Sequence, residues 1–157
     1  MVSKYERFSL SVARISQDIQ KIERAQMEQF GLKGPHAQTL LILRRHPEGV
    51  TSVQLCELCM KDKAAISRSI AELEETGMVC RVKNHGSAYR ALVKLTPAGE
   101  AAAQAVSRQA VMAVEQAGAG LEDSQREVFY RVLDLIAENL HEICRNGLKK
   151  TGDTENG

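Results

Sequence analysis

Val12, Ile15, Ile19 and Ile22 recur at three- and four-residue steps and predict a long amphipathic helix over about residues 4–30. "GLKGP" breaks it. Leu40, Leu41, Ile42 and Leu43 then predict a second helix, apolar nearly all round and so central, with Pro35 in the first turn where a missing N–H is tolerated. "RRHPEG" ends that helix. "TSVQ" starts a short third one carrying Val53, Leu55 and Leu58, with Thr51 as N-cap and Gln54 completing a capping box. Asp62 caps a fourth helix whose apolar stripe is Ile66, Ile70 and Leu73, and Gly77 is placed to end it.

After Gly77 the period shortens to two. Cys80 and Val82 alternate with Arg81 and Lys83, and the alternation resumes through Ala91, Val93 and Leu95, which predicts a hairpin with a tip near Asn84 to Ser87. Thr96 and Pro97 open an Ala-rich helix interrupted at "GAG" near 118–120. A last helix, about Asp123 to Arg145, aligns Val128, Val132, Ile136, Leu140 and Ile143. The remaining residues, 149–157, form a polar tail.

The order helix, helix, short helix, turn, helix, hairpin is that of a winged helix-turn-helix lobe, flanked here by long helices at both ends. Composition fits such a protein: 157 residues make one domain, and a core with 4% aromatics and no Trp must be built from aliphatic side chains, which suits packed helices. No apolar run approaches the roughly 18 residues of a membrane span, and the N-terminus lacks a secretory pattern; a soluble, cytoplasmic protein with no membrane partner is expected.

Charge changes the picture more. The formal net charge is only +1, yet residues 61–94 hold seven Lys/Arg against four acids, and residues 121–143 hold six acids against two bases. A local basic face on a protein of ordinary pI suits an anionic partner, and a recognition helix needs small, polar or basic residues where base edges must be approached. Lys63, Ala64, Ser67 and Arg68 lie off the fourth helix's apolar stripe and meet that need. Arg68 is the candidate for a bidentate guanine contact, while Lys63 and Ser67 suit phosphate equally. Thr51 and Ser52 at the start of the third helix complete the set with Lys83, His85 and Arg90 of the wing. Double-stranded DNA is the expected partner.

"TSVQLCEL", "DKAAISRSIAELEETGMVCRV" and "LVKLTPAGE", at their mutual distances, resemble the MarR family of bacterial transcription regulators, and the resemblance spans nearly the whole chain. It implies a single domain over 1–148, with a winged lobe at about 35–97 and dimerisation helices at about 4–30 and 97–147. It further implies a homodimer on a pseudo-palindromic operator, with Val12, Ile15, Ile19, Val132, Ile136, Leu140 and Ile143 in the dimer interface. Repression would be relieved by a small aromatic or lipophilic effector, by oxidation or by a metal; Arg14, His36 and Leu40 are the effector-pocket candidates. One departure stands out: where many members carry a wing Asp-x-Arg, this chain has Ser87, Ala88 and Tyr89, so Lys83, His85 or Arg90 would have to substitute.

Four cysteines at 56, 59, 80 and 144 form no disulfide framework. Cys56-x-x-Cys59 with Cys80 and His85 could be drawn as a zinc site, but one close-spaced pair is not a zinc ribbon, and no metal or cofactor is expected. Cys59, before Lys61 and Lys63 and near a helix N-terminus, is the redox-sensor candidate because such surroundings lower a thiol pKa. Cys56 reads as a small buried residue, Cys144 as packed in the dimer region, and Met60 and Met78 as core filler. No phosphate loop, nucleophile elbow or carboxylate pair supports an enzyme. The rival to a DNA-binding regulator is a winged-helix protein–protein adaptor without specific DNA binding; an architectural binder would need more positive charge than +1.

Overall fold

The computed structural model describes residues 3–83 and 91–148. In chain order they form α1 (Lys4–Glu28), α2 (His36–Arg45), α3 (Ser52–Cys59), α4 (Lys63–Glu75), β1 (Val79–Val82), β2 (Leu92–Leu95), α5 (Pro97–Ala117) and α6 (Asp123–Asn146). The fold is mostly helical with one antiparallel hairpin, and the chain divides into two compact units after Ala113. The hairpin tip read at Asn84 to Ser87, with His85 and Arg90, and the tail from 149 lie outside the described residues. Among the described residues no helix is long and apolar enough to cross a membrane.

The first unit is organised by α4. Its stripe of Ile66, Ile70 and Leu73 is buried with Leu40 and Leu43 of α2, Leu55 of α3, and Val79 and Val93 of the hairpin. Burying each Leu or Ile stabilises by about 1.5–3 kcal/mol. Helix starts follow the capping chemistry of the sequence. Thr51 Oγ1 accepts from Gln54 N at 3.2 Å while Gln54 Oε1 accepts from Thr51 N at 2.8 Å, and Asp62 Oδ1 accepts from Ala65 N at 2.8 Å. Val50 adds a bridge to the hairpin, exchanging backbone bonds with Val93 at 3.1 and 2.7 Å.

The hairpin corrects the expected alternation. Val79 pairs with Leu95 and Arg81 with Val93, so Val79 and Arg81 share the face of buried Val93; of β1 only Val79 is buried, and Cys80, Arg81 and Val82 are exposed. Thr96 joins the hairpin to α5. Its N–H donates to Met78 O at 3.0 Å, its hydroxyl donates to Gly77 O at 2.6 Å, and Gly99 N donates back to that hydroxyl at 3.1 Å. This draws α5 so close that a Cβ on Gly99 would overlap the carbonyl oxygen of Met78.

Helix α3 departs from expectation too. Only Leu55 and Cys59 are buried on it; Val53 and Leu58 are exposed, because eight residues offer one short inward face. Met60 is not core filler. It is 83% exposed and takes the left-handed conformation (φ 52°) that closes α3, with its N–H on Glu57 O and the N–H of Lys61 on Cys56 O.

In the second unit, α6 begins with a capping box in which Glu122 N donates to Gln125 Oε1 at 2.9 Å, and Arg126 Nη2 donates to Gly118 O at 2.7 Å across the preceding turn. No residue of α6 is buried.

Because a Cβ disfavours the left-handed region, Met60→Gly should stabilise the fold by about 0.5–1 kcal/mol and raise the thermal midpoint. A lower midpoint in calorimetry would show that the Met60 side chain makes compensating contacts.

Candidate nucleic-acid interface

Burial of the Ile66, Ile70 and Leu73 stripe turns the other side of α4 outward. Lys63, Ala64, Ser67 and Arg68 are all exposed, and their spacing places them together on the N-terminal half of the helix. The two small residues leave the backbone approachable between the two cations.

Two of the three acids of α4, and Asp62 just before it, are turned to other work. Asp62 caps the helix. Glu72 receives Lys33 Nζ on Oε1 at 2.6 Å and His36 Nε2 on Oε2 at 2.9 Å. Glu74 takes Arg81 Nε on both oxygens at 3.1 and 3.0 Å. Lys63, Arg68 and Lys83, by contrast, form no ion pair among the described residues. The N-terminal half of the outer face of α4 is therefore cationic, although the helix as a whole carries three acids and Glu75 at its far end is exposed.

The remaining candidates divide. Ser52 is half-buried in the first turn of α3 and Thr51 just before it, where backbone N–H groups and the positive end of the helix dipole favour an anion. The Thr51 hydroxyl is already engaged with Gln54. Lys83 is exposed just beyond β1. Arg81, not singled out by sequence, anchors β1 to α4 through Glu74. It stays exposed while doing so.

The effector trio is not brought together as a pocket. Leu40 has no exposed surface and belongs to the core. His36 is 3% exposed with both ring nitrogens occupied, Nδ1 accepting from Lys33 N at 3.1 Å and Nε2 facing Glu72. Arg14 is exposed on α1. A cleft of about 470 Å³ does lie between α2 and α5, lined by Leu41, Arg44, Arg45, Ser107 and Val111 among others, and contains none of the three.

Cys59 is corrected as well. It is 7% exposed, and burial pushes its thiol pKa up, only partly offset by a hydrogen bond with Thr39 and by the Lys61 charge. Sequence proximity to lysines suggested the opposite direction, because it says nothing of desolvation. Cys56, expected to be buried, is half-buried instead, and Cys144 is exposed. Among the described residues no group of three His, Cys, Asp or Glu is placed to hold a metal.

The dimer candidates Val12, Ile15 and Ile19 are exposed on α1, as are Val132, Leu140 and Ile143 on α6, with Ile136 half-buried.

A short helix, a tight turn, a capped helix with an outward cationic face and a hairpin define a winged helix-turn-helix protein. Residues 30–86, which span that motif, match the sequence model of the MarR family. The winged segment is thus similar to the MarR family of transcription regulators, and the chain as a whole has the fold of that family's solved members. A MarR-family regulator from Listeria monocytogenes, solved with a 26-mer DNA, aligns with a TM-score of 0.79 and 17% identity over 90% of this chain and 95% of that one. A MarR regulator from Methanosarcina mazei Go1 gives 0.79 and 21% over 90% and 94%, and the Staphylococcus aureus MepR–DNA complex 0.75 and 18% over 88% and 97%. Comparison with curated proteins yields no match.

Burial orders the thiols. With a thiol-alkylating reagent under native conditions, Cys80 should label first and Cys59 last, by at least about tenfold in rate. Mass spectrometry of the digested protein reads the order, and rapid labelling of Cys59 would contradict its burial.

Proposed function

We propose that the protein is a homodimeric transcription regulator that reads double-stranded DNA with α4. The observation that carries this is the outward face of Lys63, Ala64, Ser67 and Arg68, left cationic because the neighbouring acids are tied to other elements. The two relatives solved with DNA support it. Arg68 has the reach and fork geometry for a guanine, Lys63 and Ser67 hold phosphate or base, and Ser52 and Lys83 hold backbone phosphates on either side. With a net charge of +1, affinity must rest on this local patch and not on a global field.

The apolar stripes support the dimer. An α6 with no buried residue and an α1 whose Val12, Ile15, Ile19 and Ile22 are exposed leave more apolar surface than a soluble single chain keeps uncovered. Burying them against a second copy would give a two-fold interface and would place two α4 helices about 34 Å apart on a pseudo-palindromic operator. We further propose that the regulator represses and that a small amphipathic effector releases it. The burial of Cys59, which raises its thiol pKa, favours a ligand over oxidation, and the α2–α5 cleft offers such a ligand apolar lining beside Arg45 and the Arg44–Glu100 pair.

After selection of a preferred duplex from a random pool, Arg68→Ala should weaken it by about 1–3 kcal/mol and relax specificity. Lys83→Ala should instead weaken all sequences alike and reduce the salt slope by about one. A parent protein that prefers no sequence would favour the adaptor reading.

Leu140→Asp would set a carboxylate in the proposed interface, so sedimentation should show the dimer lost and specific binding reduced to the nonspecific level. A monomeric variant that still binds the full duplex tightly would show that single lobes suffice.

A further inference from the structure

Glu72 is held from two sides by residues 39 and 36 positions away in sequence, Lys33 in the α1–α2 connection and His36 at the start of α2. The hold is specific in its chemistry. A backbone N–H only donates, so the 3.1 Å bond from Lys33 N fixes His36 Nδ1 as acceptor and leaves the ring proton on Nε2, directed at Glu72 Oε2. Burial also disfavours the charged imidazole, which keeps this tautomer in place. Lys33 then takes the other oxygen, so both lobes of the carboxylate are occupied. The ammonium of Lys61, whose Nζ reaches Pro35 O at 3.4 Å, is a further positive charge beside the cluster.

What this arrangement protects lies one turn up α4. Positions 64, 65, 71 and 72 are the three- and four-residue neighbours of Arg68 on the helix, and they are Ala, Ala, Ala and Glu. Glu72 is thus the single carboxylate on α4 spaced to pair with Arg68, yet no ion pair joins them. A hydrophobic residue at position 36 would fill the same buried space with no polar group to satisfy; the imidazole adds a direction, drawing Glu72 towards α2.

We propose that Lys33 and His36 are positioning residues that hold Glu72 away from Arg68, and so keep the guanidinium open to DNA. When the hold is lost, Glu72 turns to Arg68 as an intrahelical pair, the cationic face loses both a donor and net charge, and sequence reading weakens. The inference rests on the reading of Arg68 as a DNA contact. A suppressor experiment tests it apart from that reading.

Lys33→Met removes one arm. His36→Asn removes the other, since its oxygen can still accept from Lys33 N–H while its amide is too short for Glu72. In each variant the Arg68 Nε–H resonance should shift in the DNA-free protein, and the shift should vanish when Glu72→Gln is added. At low salt each single variant should bind the selected duplex about threefold more weakly relative to scrambled duplex, as expected for a surface pair of this spacing, and Glu72→Gln should restore the parent ratio.

Restoration by a second substitution is what a structural role would not give. If the hold only stabilised the fold, Glu72→Gln would deepen the defect; if Lys33 touched phosphate directly, the loss would persist in the double variant. Either result overturns the proposal, as does an unmoved Arg68 signal in both single variants. If the Arg68 signal shifts and recovers but binding of the parent is indifferent to Arg68→Ala, the hold stands and the DNA role of Arg68 fails.

Discussion

Everything presented by the first unit depends on the burial of one stripe, Ile66, Ile70 and Leu73, along α4. A helix this short can satisfy only one inward face. Once these three side chains meet Leu40, Leu43 and Leu55, the rotation of α4 about its axis is set, and with it the identity of every outward residue. The Asp62 cap fixes where the helix begins and left-handed Gly77 fixes where it ends, but neither decides which side looks out. Loss of a residue such as Leu73 would cost about 2–5 kcal/mol, and would release the orientation along with the stability.

Electrostatics then sharpens what packing has oriented. Helix α4 carries acids in its second half and bases in its first, and in an isolated helix of this sequence Arg68 and Glu72 would be neighbours free to pair. In the lobe two of the acids have partners outside the helix, Lys33 and His36 on Glu72 and Arg81 on Glu74. These partners are structural in position and electrostatic in effect. A modest net charge is therefore compatible with a concentrated positive face.

The fold was legible in the sequence wherever local chemistry decides it. The Thr51–Gln54 box, the Asp62 and Thr96 caps and the three- and four-residue apolar steps all have local causes, and the residues found there behave as those causes require. A four-residue strand was harder. "VCRV" has apolar residues in both parities, and the choice between them was made by Val93 and Glu74, which lie elsewhere in the chain. Met60 and Cys59 were misplaced for a similar reason, since the C-terminus of an eight-residue helix is set by what packs beneath it. The exposed cationic set on α4 followed directly from its stripe. The hold on Glu72 could not be read, because its partners come from 36 to 39 residues away and no pattern marks them.

The junction at Gly99 has a consequence for how such a chain can vary. With Met78 O where a Cβ would be and Thr96 bonded on three sides, the start of α5 can accept almost no alternative residue without displacing the hairpin. Surface positions on α4 can drift without loss of the fold, since the stripe beneath them is separate. The joint cannot drift. Diversification of a lobe like this one would proceed by repainting its outer face while a single glycine holds the hinge line between hairpin and helix unchanged.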